Sequence, residues 1–64
     1  MVTGYIYQRD TLEVIAEVIG GQADIEAYAD AEYDSETCGL TYSPAFGFSG
    51  GLVDTTGTDI VDLG

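Results

Sequence analysis

The chain has no lysine, no histidine and no tryptophan, and a single arginine stands against twelve Asp and Glu. Without His or Lys, the usual general base, proton shuttle and Schiff-base nucleophile are missing, so an enzyme is not expected. Cys38 is the one cysteine, which rules out an internal disulfide and a thiolate-based metal site and fits a reducing compartment. It has no His to activate it, so a small buried or half-buried role is expected. No apolar run reaches the roughly 18 to 20 residues of a membrane span, and Met1-Val2-Thr3-Gly4 has neither the positive nor the apolar region of a secretory signal. Anionic lipid, DNA and RNA are excluded as direct partners by charge, since the formal net charge is -11.

What is present is enough apolar material to fold. Apolar residues make up 45% of the 64, with five Tyr, two Phe and one Pro, a payload that acidic disordered segments lack. The length allows one small domain, 1–64, with a thin stability margin. Residues 2–7, VTGYIY, predict a strand. After Gln8-Arg9-Asp10-Thr11, the segment Leu12–Ile19 admits two readings. Alternation of Leu12, Val14, Ala16 and Val18 predicts a strand. The Asp10 and Glu13 pair with Gly20 as a stop would suit a helix. The β-branched residues and the short polar connection favour the strand, and hence a hairpin. Gln22–Tyr33, QADIEAYADAEY, predicts a helix with an apolar stripe of Ile25, Tyr28 and Ala29, and Tyr33 at its edge. Residues 39–43 predict a third strand ended by Pro44, the Phe46–Gly51 stretch a loop whose Phe rings cap the core, and Leu52-Val53 a candidate fourth strand. Residues 54–64 predict a loosely held tail unless Ile60, Val61 and Leu63 pin it. The expected class is α+β, a small antiparallel sheet packed on one helix in β-β-α-β order.

No cofactor pattern is visible. Asp30, Glu32, Asp34 and Glu36 resemble the start of an EF-hand loop, but the sixth position is Ser35 rather than Gly and the twelfth is Thr41 rather than Glu. Gly50-Gly51 has no following Lys of a phosphate-binding loop. The remaining chemistry is the acidic surface. Its densest run is Asp24, Glu26, Asp30, Glu32, Asp34 and Glu36, with Glu13 and Glu17 in the preceding segment. A solvated, solubilising face accounts for any one of these. As a group they present a phosphate-like field, because carboxylates on successive helix turns lie about 6 Å apart and same-face strand neighbours about 7 Å apart. Glu32, Asp34 and Glu36 also oppose the helix dipole, which suggests a demand other than folding.

The stretches Gly4-Tyr5-Ile6-Tyr7, Asp10-Thr11-Leu12-Glu13-Val14-Ile15, the acidic Ala-rich helix and Cys38-Gly39-Leu40-Thr41-Tyr42-Ser43-Pro44-Ala45-Phe46 resemble small acidic proteins of phages and mobile elements, among them anti-CRISPR inhibitors of type I systems. The resemblance implies a stoichiometric inhibitor in the cytoplasm of a bacterial host, a monomer or weak dimer. Its partner would be the Cascade surveillance complex, bound on the basic surface where target DNA enters. The alternative from another class is a generic acidic interaction module, such as an antitoxin-like neutraliser or a phage accessory protein.

Overall fold

The computed structural model describes residues 1–46, 48–53 and 57–64. The elements run β1 (Val2–Gln8), β2 (Val14–Gly20), α1 (Gln22–Glu32), β3 (Cys38–Thr41) and β4 (Asp59–Asp62). One four-stranded sheet in the order β3-β1-β2-β4 carries the helix on one face. The α+β class, the one helix among the described residues and the β-β-α-β order of the first four elements agree with the sequence; the strand count and the pairing do not. The sheet is mixed, because β4 pairs parallel to β2 while β1 pairs antiparallel with both β2 and β3.

Alternation decides which residues meet the helix. In β1 the helix-facing buried positions are Gly4 and Ile6 and in β2 Ala16 and Val18, with Ile15 packed beside them, whereas Val14, also buried, pairs with Tyr7 beyond a register shift. The helical alternative for residues 12–19 is overturned. Val14, Val18 and the two Ile of the segment are stiff at χ1 and suit the pleat, and the hairpin from β1 supplies their backbone partners. That hairpin closes with Gln8 N–H on the Glu13 carbonyl and Leu12 N–H on the Gln8 carbonyl, with Leu12 at φ 61. A four-residue loop needs one left-handed position there, so Leu12 accepts a conformation that favours Gly or Asn. A register shift follows between Ile6 and Tyr7.

Helix α1 has 11 residues, too short to persist alone, and Gly21 gives it no side-chain cap. It is held by packing. Ile25 is fully buried with Ile6, Ala16 and Val18, and Tyr28, Ala29, Tyr33 and Leu40 close around this cluster, which is the stripe expected from the sequence. Gly4 permits the close approach: a Cβ there would lie 2.8 Å from Ile25 Cγ2 and 2.9 Å from Leu40 Cδ1. The chain leaves the helix at Tyr33, whose N–H donates to the Ala29 carbonyl.

After β3 the chain crosses the other face of the sheet. The Phe46 ring meets Tyr5 edge-on at 5.7 Å, Leu52 is buried, and its N–H donates to the Pro44 carbonyl. Leu52-Val53 does not form a strand of its own; Val53 makes an isolated parallel bridge to Glu13. The fourth strand lies instead at Asp59–Asp62, within the segment expected to be a loose tail. Val61 pairs with Val18 and packs on the core, and Leu63 N–H donates to the Ile19 carbonyl. The parts of that expectation concerning residues 54–56, and the place of Gly47 in the glycine-rich loop, lie outside the described residues.

Candidate acidic interaction surface

The sheet and helix sort the carboxylates into separate groups. Asp24, Glu26, Asp30 and Glu32 are exposed on α1, and Asp34 and Glu36 are exposed on the turn that follows. Glu26 and Asp30 are one turn apart on the side of the helix toward β3, where both line a cleft of about 300 Å³ floored by Ile6, Ala29 and Leu40. Glu32 does not line this cleft, and its charge and that of Asp59 both act on Tyr33. Two of the expected members are elsewhere. Glu13 is exposed beside the β1–β2 hairpin, and Glu17 is half-buried on the sheet face away from the helix. Successive strand residues point to opposite faces, so Glu17 cannot join a helix-side patch whose neighbours are Ala16 and Val18.

Asp34 has a structural task as well as a charge. Its Oδ1 accepts from the Glu36 N–H at 2.9 Å, and its carbonyl accepts from the N–H groups of Thr37 and Cys38. This is the Asx-turn chemistry that brings the chain from α1 into β3. Asp34 therefore belongs to the turn first and to the surface second. Asp10, absent from the expected group, faces Glu36 across a second cleft of about 340 Å³ that also includes Arg9, Thr37 and Cys38. Asp59 comes within reach of Tyr33 because β4 pairs with β2, and its place in a polar segment gave no local sign of this.

Arg9 donates through Nε to the Ser35 carbonyl at 2.9 Å, and its N–H donates to the Thr37 carbonyl. The lone cationic side chain thus tethers the post-helix turn to the hairpin. The last turn of α1 carries no basic residue. Cys38 is half-buried toward the helix, with the Thr37 hydroxyl 3.7 Å from its sulfur. Among the described residues, no three of His, Cys, Asp and Glu converge as metal ligands, and no polar side chain is buried.

Tyrosines punctuate this surface. Tyr28 and Tyr33 meet edge-on at 6.3 Å. Burial pushes the Tyr33 phenol up from its ordinary value, helped by Tyr28 and by the charges of Asp59 and Glu32. Tyr42, beyond β3, donates its hydroxyl to the Gln22 carbonyl at 3.4 Å, and its phenol is also raised, by desolvation and by Glu26. Both phenols stay neutral donors across the physiological range. No helix among the described residues is long and apolar enough to cross a membrane. No family model, no curated protein and no solved structure matches this chain.

Proposed function

We propose that this chain is a stoichiometric protein inhibitor that covers a basic, nucleic-acid-binding surface by presenting α1 and the turn after it as a mimic of a phosphate backbone. Its target by sequence resemblance is the type I CRISPR Cascade complex, and the result of binding is exclusion of target DNA. The carrying observation is that Glu26, Asp30 and Glu32 stand exposed where they weaken their own helix. Glu26 and Asp30 are like charges at i and i+4, which destabilise a helix by about 0.2–0.5 kcal/mol. Glu32 sits at the negative end of the dipole, and no basic residue in the last turn offsets it. A purely solubilising face has no need to concentrate acid there, whereas a surface made for Lys and Arg gains from it.

The mechanism follows from charge and rigidity. Carboxylates about 6 Å apart along the helix have nearly the spacing of successive phosphates, and the buried Ile25 anchors their helix to the sheet. Opposite fields accelerate encounter and make it salt-sensitive, while Tyr33 and Tyr42 supply amphipathic contact area within the same surface. Expressing the chain in CRISPR-immune cells should restore phage plaques. The Glu26→Lys, Asp30→Lys double variant should lose that effect while its circular dichroism stays native-like. Full plaque restoration by a folded double variant would sink the proposal, and recovery of a toxin or of virion proteins in a lysate pull-down would replace it with the interaction-module reading.

A further inference from the structure

The two edges of the sheet are not alike. β4, at one edge, is four residues long and carries Asp59 and Asp62, charges of the kind that deter another strand from pairing. β3, at the other edge, is Cys38-Gly39-Leu40-Thr41, with no charge, no proline and no register irregularity against β1. Its hydrogen-bonding direction can be read from the ladder. Arg9 N–H donates to the Thr37 carbonyl, and bonded pairs alternate along an antiparallel ladder, so Gly39 and Thr41 bond to Tyr7 and Tyr5. The backbone groups of Cys38 and Leu40 therefore point off the free edge. The Cys38 N–H is taken by the Asp34 carbonyl at 2.8 Å. The Leu40 N–H and carbonyl have no strand beyond them among the described residues.

Beside this edge lies the cleft between α1 and β3. Ile6, Ala29 and Leu40 form its apolar floor, Tyr33 closes one side, and Glu26 and Asp30 stand on its helical rim. Arg9, which also borders the cleft, is directed to the Ser35 carbonyl. A strand added alongside β3 would turn alternate side chains toward α1 at intervals of about 7 Å. One helical turn separates Glu26 from Asp30 by about 6 Å. The two repeats match closely enough for alternate basic residues on such a strand to meet successive carboxylates.

The geometry points to β3 as a docking edge: an extended segment of the partner protein, basic at alternate positions, adds to it as a fifth strand and lays those residues against Glu26 and Asp30. This rests on reading α1 as the contact surface for a basic partner and adds the partner's conformation and register. Main-chain hydrogen bonds at Leu40 hold the segment, the apolar floor takes the methylene stems of its basic side chains, and the helical carboxylates select for charge.

The test uses the full chain and an end-blocked (Lys-Val)4 peptide, with amide hydrogen exchange followed by NMR. Saturating peptide should slow exchange at Leu40 by about tenfold or more, while Ile60 on the guarded edge stays unchanged. Glu26→Lys with Asp30→Lys should abolish the protection in a protein that remains folded. Binding that perturbs α1 but leaves Leu40 exchange unchanged overturns strand addition and leaves the acidic-helix proposal standing. Absence of binding, or equal protection at Ile60, also overturns it. Leu40 protection that rises with protein concentration in the absence of peptide assigns the edge to a second copy of this chain and overturns the peptide assignment. Loss of plaque restoration in the charge-reversed variant is a separate readout, so failure of one claim is not failure of the other.

Discussion

The two faces of the sheet are closed by different means. On one, a short helix sets Ile25 into Ile6, Ala16 and Val18, and no polar side chain among the described residues enters this layer. On the other, the chain after β3 crosses as loop, placing Phe46 on Tyr5 and burying Leu52, while Glu17 stays half-exposed in the middle of β2. The helix face supplies the cooperative core and a rigid backing; the loop face supplies cover. A patch of carboxylates that must keep its spacing belongs on the rigid side, which is where Asp24, Glu26, Asp30 and Glu32 are.

Cutting the core should do the most damage. Ile25→Ala removes the fully buried anchor of α1 and should cost about 2–5 kcal/mol, against a total of roughly 3–10 kcal/mol expected for a chain of this length. Urea unfolding followed by circular dichroism should show most or all of the stability gone. Gly4→Ala tests the same face by overfilling it, since its Cβ would come within 2.9 Å of both Ile25 and Leu40. A loss of about 1–3 kcal/mol is expected. On the loop face, Phe46→Ala should cost less, about 1 kcal/mol, because the ring is half-buried and its main partner is one edge-on Tyr5. A larger effect at Phe46 than at Ile25 would reverse the comparison.

Smaller effects probe the helix surface. Asp30→Lys replaces a like-charge pair with Glu26 by an opposite pair in the favoured order and places a cation near the helix C-terminus. It should stabilise the fold by a few tenths of a kcal/mol while weakening inhibition, and differential scanning fluorimetry beside the plaque assay checks both. The smallest effect is alkaline. The Tyr33 phenol is raised in the folded state, so the neutral form is favoured there. Its contribution is fully present below the ordinary value of 10.0 and is lost as pH rises through the folded value. Urea midpoints measured across that window should fall, and Tyr33→Phe should remove that part of the fall.

Much of the helix side was legible in the sequence because its signals are local. Ile25, Tyr28 and Ala29 recur at helical spacing with few β-branched intruders, and Gly4-Tyr5-Ile6-Tyr7 alternates as a half-buried strand does. Residues 12–19 sat between two periods, and the antiparallel pairing with β1 decided them. β4 was hidden because Asp-Ile-Val-Asp is too short and too acidic to announce a strand. It forms by parallel pairing with β2, a partner some forty residues earlier, and such non-local pairing leaves no mark in a short window. The acidic positions within Asp24–Glu36, all of them exposed, could be read directly as surface. That Asp34 is committed to a turn, that Glu17 faces the other way, and that β3 leaves the Leu40 backbone on an open edge all depend on register. Register is a property of paired strands, and no single segment carries it.

Whether the helix carboxylates take the place of nucleic acid on a basic partner is decided by a competition experiment. Purified Cascade is incubated with the full chain, and binding of target duplex is followed by gel shift at increasing protein concentration. Under nucleic-acid mimicry the chain and the duplex should exclude one another, added salt should weaken the inhibitor, and Glu26→Lys with Asp30→Lys should leave the duplex bound. Simultaneous binding of chain and duplex, or undiminished exclusion by the folded double variant, would contradict it.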